Sequence, residues 1–311
     1  VWSANSPGVM TSRVGWLTDA QTASAGYENT FSRDFNSDGL ISGDSVYKLS
    51  STSGAVILKG TNGWETYSDS TSDGWNVTAA KQTDSGFEVL FEGTNSNEGL
   101  NSVWSANSSG VMTSRVGWLT DAQTASAGYE NTFSRDFNSD GLISGDSVYK
   151  LSSTSGAVIL KGTNGWETYS DSTSDGWNVT AAKQTDSGFE VLFEGTNSNE
   201  GLNSVWSANS SGVMTSRVGW LTDAQTVSSG YENTFSRDFN SDGLISGGSV
   251  YKLSSTSGAV ILKGTNGWET YSDSTSDGWN VTAAKQTDSG FEVLFEGTNS
   301  NDGLNSVWSA N

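Results

Sequence analysis

Histidine and cysteine are both absent from the 311 residues, and proline occurs once, at Pro7. The chain therefore has no disulfide, no Ser-His-Asp or Cys-His catalytic set, no haem ligand of the usual kind and no Cys/His zinc site. Most familiar active sites are excluded, and no enzymatic role is expected. Basic residues are scarce too: 15 Lys and Arg against 35 Asp and Glu give a net charge of −20. Such a balance repels nucleic acid and anionic lipid and leaves cations as natural partners. No run approaches the ~20 consecutive apolar residues that a membrane-spanning helix needs, so no membrane insertion is expected.

What the chain has instead is repetition. A unit of 102 residues is written three times, over 1–102, 103–204 and 205–306, and 307–311 begins it again. The copies differ at five positions: Pro7/Ser109/Ser211, Ala23/Ala125/Val227, Ala25/Ala127/Ser229, Asp44/Asp146/Gly248 and Glu98/Glu200/Asp302. An active site needs one good copy, whereas near-identical tandem copies suit a function that scales with copy number, such as length, avidity or polymerisation. A start without methionine and a stop inside the motif fit a window cut from a longer array.

Each unit carries short β-branched or aromatic runs between turn signals, the pattern of antiparallel hairpins. Residues 46–49 turn through 50–54 into 55–59, residues 75–81 turn through 83–86 into 87–92, and residues 103–106 turn through 107–110 into 111–115. The last hairpin spans the junction between units. Phe87, Val89 and Phe91 share one face and Glu88 and Glu92 the other, as in a half-buried strand. Residues 18–33 resist this reading and predict one short capped helix per module, interrupted near Gly26 and Tyr27.

A weaker likeness aligns 27–40 on 87–100 and suggests an old internal duplication. Six such halves would make a closed six-bladed β-propeller. Against closure, residues 1–5 and 307–311 compete for one slot in a ring. The favoured fold is mainly β: a tandem array of three near-identical hairpin-rich modules, 1–102, 103–204 and 205–306, with 307–311 starting a fourth.

One loop carries a recognisable ligand pattern. Asp34, Asn36 and Asp38 place oxygens at loop positions 1, 3 and 5, Gly39 supplies a sharp turn, and Leu40 offers a backbone carbonyl. That is the first part of an EF-hand-type calcium loop. It recurs at Asp136, Asn138, Asp140 and Leu142, and at Asp238, Asn240, Asp242 and Leu244. Hard oxygens crowded together favour calcium over transition metals. Ser45 stands where an EF-hand has its closing glutamate, which leaves Asp44, Glu28, a carbonyl or water to close the site. The competing reading is an Asx-turn whose side chains cap backbone amides. Asp69 and Asp73 also lie close together, in a spacing that fits a solvated acidic loop.

Tryptophans recur at Trp2, Trp16, Trp64 and Trp75 and at their copies. Large rings near strand starts are expected mainly in the core, and Trp2 and its copies are the first candidates for a contact between units or filaments. An exposed platform stacking on sugar rings is the alternative.

The order of motifs carries a resemblance: Leu100-Asn101-Ser102-Val103-Trp104, then Gly117-Trp118-Leu119-Thr120-Asp121, then residues 130–133 leading into Asp136-Phe137-Asn138-Ser139-Asp140-Gly141. It resembles the tryptophan-rich repeat domain of secreted and surface proteins of cyanobacteria and other bacteria, a domain often found beside haemolysin-type calcium-binding repeats. The resemblance covers essentially the whole chain, once per unit. It implies secretion and surface association and supplies no catalytic residue.

The leading expectation is thus an extracellular structural or adhesive repeat protein, a calcium-stiffened rod or filament formed by self-association. The alternative is a multivalent carbohydrate-binding module with extracellular polysaccharide as partner, which requires exposed tryptophans beside Asn or Asp clusters, identically placed in each unit. A glycosidase using two of Glu28, Glu65, Glu88 and Glu92 is the remote third reading.

Overall fold

A computed structural model of the chain describes residues 1–4, 6, 9–68, 74–170, 176–256, 258–267, 270–272 and 278–311, without the Trp2 side chain. Asp69 and Asp73, and the Trp2 ring expected at a contact, lie outside the described residues. The chain forms two compact units, Val1–Asn138 and Ser139–Asn311. No helix among the described residues is long and apolar enough to cross a membrane.

The first unit starts with a hairpin of β1 (Trp2–Ala4) and β2 (Met10–Arg13), followed by helices α1 (Asp19–Ser24) and α2 (Tyr27–Phe31). A second hairpin, β3 (Lys48–Ser51) and β4 (Gly54–Ile57), leads to a four-stranded antiparallel meander of β5 (Trp75–Thr83), β6 (Gly86–Gly93), β7 (Leu100–Asn107) and β8 (Met112–Thr120). Helices α3 (Asp121–Ser126) and α4 (Tyr129–Phe133) close the unit.

The meander is buried on both faces, which is why β6 reads Phe-Glu-Val-Leu-Phe and not as a strict alternation. On one face Phe87, Val89 and Phe91 pack with Leu40, Leu49 and Leu58 of the preceding hairpin. On the other, Leu90, Val103 and Ala79 pack with Ala125 and Phe137, with Tyr129 and Phe133 at the margin. A bulge between Val77 and Ala79 turns Val77 and Ala80 to the first face and Ala79 to the second. Backbone bonds from Lys59 to Gly110 and from Met112 to Lys59, of 2.8 and 3.0 Å, tie the hairpin's exit to β8. Gly110 takes φ 77° there, and a Cβ on it would run into the Ile57 carbonyl.

The second unit contains a small sheet of β9 (Leu142–Ile143), β10 (Lys150–Leu151) and β11 (Val158–Ile159), then the meander β12 (Trp177–Thr185), β13 (Gly188–Gly195), β14 (Leu202–Asn209) and β15 (Met214–Thr222). Helices α5 (Asp223–Ser228) and α6 (Tyr231–Phe235) come next, then the small sheet β16 (Leu244–Ile245), β17 (Lys252–Ser255) and β18 (Gly258–Ile261). A three-stranded sheet of β19 (Trp279–Thr287), β20 (Gly290–Gly297) and β21 (Asn305–Ala310) ends the unit. Leu192 and Val205 pack against Phe239, with Val227, Tyr231 and Phe235 beside them, repeating the two-faced burial of the first meander.

The fold is mainly β, in three repeated antiparallel modules, and each of the three expected hairpins forms. The repeat junctions at 102/103 and 204/205 fall inside β7 and β14, so the sequence repeat and the packed unit are out of phase. The expected single helix is two. Thr18 caps the first in a capping box with Gln21, and Gly26, at φ 76°, breaks the chain before the second.

The internal duplication is not repeated in the fold. Residues 27–31 form helix α2, with Tyr27 and Phe31 one turn apart and their rings 6.2 Å from each other, whereas the aligned 87–91 lie in strand β6. The difference arises from Val89 and Leu90, which need burial on two opposite faces. Sheets of two, three and four strands with helix pairs between them replace the equal four-stranded blades that a six-bladed propeller would need.

Candidate functional site

The acidic loop sits between the helix pair and the hairpin, and its backbone is shaped by two residues in the left-handed region, Ser37 at φ 62° and Gly39 at φ 83°. Gly39 lies flat on the β5 bulge, where a Cβ would run into the Ala80 carbonyl. The Ala80 amide donates to the Asp38 carbonyl at 2.8 Å. The glycine expected for the sharp turn is thus also needed to seat the loop on the sheet.

The side chains gather inside one turn. Asp34 accepts from the Ser37 and Gly39 amides at 2.6 and 3.0 Å, Asp38 accepts from Leu40 at 2.8 Å, and Asn36 donates to Asp38 at 2.8 Å. Asp238, Asn240 and Asp242 repeat this: Ser241 and Gly243 donate to Asp238 at 2.7 and 2.8 Å, and Leu244 donates to Asp242 at 2.8 Å. The middle copy runs across the division of the chain, with Asp136 and Asn138 in the first unit and Asp140 and Leu142 in the second. In the second unit the Leu142 amide donates to Asp140 at 2.8 Å. Leu40, Leu142 and Leu244 are buried, and their side chains belong to the apolar cores.

Glu28, suggested by the sequence as a closing ligand, is fully buried and clamps both ends of the loop. It accepts from the Phe35 amide at 2.8 Å, the Ser42 amide at 3.0 Å and the Ser42 hydroxyl at 2.6 Å. Glu232 holds Phe239 and Ser246 in the same way. Asp44 turns away to Lys48 at 2.6 Å, a pair repeated by Asp146 and Lys150 and lost at Gly248. The sequence signal for the clamp is a glutamate preceding Asp34 by six residues with a serine after the loop, and it becomes legible only once α2 is known to be a helix.

Burial pushes the Asp34, Asp38 and Asp238 carboxyls above the ordinary aspartate value, against hydrogen bonds that favour their charge. Burial opposes ionisation of Glu28 as well. There the bonds from Ser42, Phe35 and Asn36 outweigh it and hold the carboxyl below the usual glutamate value. The loop is therefore an oxygen-rich turn whose carboxylates carry their charge at a cost that a hard cation would relieve. As built, those oxygens accept from the loop's own amides, and no group of three or more acids placed to hold a metal ion occurs among the described residues.

The tryptophans divide by role. Trp75 and Trp177 pack against the cores as expected, and so do Trp104 and Trp206, the copies of Trp2 and candidates for a contact between units or filaments. Trp64 and Trp166, by contrast, are each 90 % exposed at the tip of a turn. Asn62 accepts from the Trp64 and Glu65 amides at 3.0 and 3.1 Å and donates to the Glu65 carboxylate at 3.1 Å, and Asn164 does the same for Trp166 and Glu167. Of the carboxylates considered for sugar hydrolysis, Glu28 is committed to its clamp and Glu92 pairs with Arg135 at 2.5 Å.

No protein-family model matches the chain, and no curated protein matches it.

Proposed function

We propose that the chain is an extracellular structural or adhesive repeat protein whose modules form a rod or filament stiffened by calcium. The observation that carries this reading is the shared packing of consecutive repeats. Ala125 and Phe137, which seal Leu90, come after the sequence junction, so one repeat finishes the core of the one before it. Such coupling makes stability grow with repeat number and resists extension. The motif order resembling tryptophan-rich surface repeats, the absence of cysteine and the acid-rich composition support an extracellular setting.

Calcium belongs to the proposal through the Asp34, Asp136 and Asp238 loops. Binding only the folded form raises the melting temperature, by an amount equivalent to about 2.7 kcal/mol at a hundred times Kd. Electron microscopy of concentrated protein, with calcium and with a chelator, tests both parts. Filaments with an axial period of one module or a multiple, loosened by chelation, are expected. Discrete particles indifferent to chelator would sink the reading.

A second reading, a multivalent carbohydrate-binding module, is favoured by one observation: Trp64 and Trp166 stand equally exposed beside equally hydrogen-bonded Asn–Glu pairs. Their repetition suits a ligand that itself repeats. Trp64→Ala with Trp166→Ala is expected to weaken retention on neutral polysaccharide at least tenfold, and unchanged retention would remove these turns as sugar platforms.

A further inference from the structure

Beside the hairpin of the second unit, the first face of the meander is left open as an aromatic cleft. It has a volume of about 260 Å³ and is walled by Tyr169, Trp177, Phe193 and Trp206, with Arg217 at the mouth. Phe193 is the buried floor, with Tyr169 edge-on at 5.2 Å and Trp206 tilted at 6.3 Å. The volume is just below the roughly 300 Å³ at which pockets for drug-sized ligands begin, which fits a single ring.

The mouth is built with some strain. Arg217 pairs across the strands with Trp206, so both point to the same face, and its guanidinium lies 5.5 Å from the Trp206 ring and 5.9 Å from the Trp220 ring. Trp220 is held at φ 65°, a conformation a bulky residue adopts only when its surroundings impose it. The register shift between Asn203 and Val205 places an extra residue in β15 at this point. It aims the Trp220 indole edge-on at Trp177, 6.0 Å away. A side chain on Gly219 would press on Arg217, so the glycine leaves room for the guanidinium.

The first unit repeats the ring contacts and the arginine–tryptophan pair. Trp118, at φ 61°, meets Trp75 at 5.4 Å, Phe91 lies 5.1 Å from Tyr67 and 6.4 Å from Trp104, and Arg115 sits 5.5 Å from the Trp104 ring. In a chain with more than twice as many acids as bases, Arg115 and Arg217 form no ion pair among the described residues, although Arg135 and Arg237 do.

We propose that these two clefts bind acidic oligosaccharide, each taking one pyranose ring whose carboxylate pairs with Arg115 or Arg217. This rests on the carbohydrate-binding reading and adds to it a site apart from the Trp64 and Trp166 turns, with its ligand class. Indole faces accept the apolar C–H face of a sugar. A guanidinium already stacked on tryptophan still offers its planar fork of N–H donors, which matches a carboxylate two bonds at a time. Identical clefts in successive modules suit a polymer of identical sugars. The net charge of −20 repels such a polymer at long range, but that repulsion is screened within ~8 Å at physiological salt, which leaves the short-range contacts to decide.

The test is titration of the intact chain at physiological salt with trigalacturonate and with cellotriose, read by calorimetry and tryptophan fluorescence. Trigalacturonate is expected to bind at two sites per chain, at least tenfold more tightly than cellotriose. Arg115→Gln with Arg217→Gln, at exposed positions, should erase that preference, whereas Trp64→Ala with Trp166→Ala should leave it. Equal binding of both sugars, or an arginine double variant that behaves as the parent, overturns the proposal. Loss of acidic-sugar binding in the Trp64/Trp166 variant alone would keep the carbohydrate reading and overturn the cleft as its site. Failure of both sugars to bind would overturn both.

Discussion

The sheets β5–β8 and β12–β15 on one side, and β19–β21 on the other, are written with the same residues and are buried differently. Leu90 and Leu192 are fully buried in the first two, and Val103 and Val205 are 3 % exposed. Their counterpart Val307 is 65 % exposed, and Leu294 is half-buried. The difference lies in the next stretch of chain: in the first two sheets a helix pair and the following phenylalanine cover that face and a fourth strand pairs at the edge, and the 311 residues include no such stretch after β21. The apolar pattern of a strand therefore fixes which side chains seek burial, and the next repeat supplies it.

The largest expected effect sharpens this contrast. Leu90→Ala or Leu192→Ala removes a side chain enclosed on all sides and should cost about 2–5 kcal/mol in urea unfolding. Leu294→Ala, at a half-buried position, should cost about 1 kcal/mol or less. Equal losses would break the comparison, because the bare face would then be as well packed as the covered ones.

Next comes the clamp that shapes the chain below each helix pair. Glu130→Ala strands the Phe137 amide, which now donates to the Glu130 carboxylate at 2.8 Å, in a buried position. A loss of about 2–3 kcal/mol is expected by thermal unfolding. For the matching Glu28 the sign with pH is fixed by its carboxyl lying below the usual glutamate value. Its stabilisation is present above the unfolded value and is lost as pH falls through the folded one. Glu28→Gln should thus separate from the parent at neutral pH and converge with it in acid. The raised Asp34 and Asp38 carboxyls act in the opposite sense: their ionisation strains the folded loop as pH rises, and protonation relieves it. A gap between Glu28→Gln and parent that widens in acid would overturn the clamp's role.

Much of this architecture is legible in the residues. The hairpin turns are marked by glycines, one buried face of β6 by Phe87, Val89 and Phe91, though not the second face that Leu90 buries, and a short capped helix by residues 18–33. The acidic loop announces itself as well, since the spacing of Asp34, Asn36 and Asp38 is enough to place them in one turn. What the residues conceal is long-range. When copies are nearly identical, no pattern tells whether Leu90 packs on its own repeat's helices or on the next one's, and the fold shows Ala125 and Phe137 of the next. The bulges at Val77/Ala79 and beside Trp118 are equally hidden, since each depends on how a neighbouring strand pairs. For the same reason the stacking of Arg115 on Trp104 leaves no trace in the sequence pattern: those residues are opposite partners on β7 and β8.

A smaller effect tests whether the helix pair must be ordered to act as a cover. Thr120 caps α3, accepting from the Gln123 amide at 3.3 Å while the Gln123 side chain accepts from the Thr120 amide at 2.9 Å. Thr120→Ala should cost about 1 kcal/mol and should raise hydrogen exchange in α3 and at the Leu90 amide together. Faster exchange confined to the helix would mean that the sheet keeps its packing without an ordered cover.

The smallest effect is expected where all three sheets should agree. The hydroxyls of Thr78, Thr180 and Thr282, at the equivalent bulges, are buried with no hydrogen-bond partner among the described residues. Replacing one by the isosteric valine removes an unsatisfied polar group and adds a methyl, so each substitution should stabilise by about 0.5–1 kcal/mol. The acidic loop docks on this bulge in the third sheet as in the first, with the Ala284 amide bonded to the Asp242 carbonyl at 2.9 Å and the Ala80 amide to Asp38 at 2.8 Å. The bulge is therefore held by the loop, which precedes the sheet in the same repeat, and not by the helix pair of the next one. Thr282→Val should accordingly match Thr78→Val within experimental scatter. A clearly smaller gain at Thr282 in the 311-residue chain would show that covering one face of the sheet tightens it through to its loop-bearing edge.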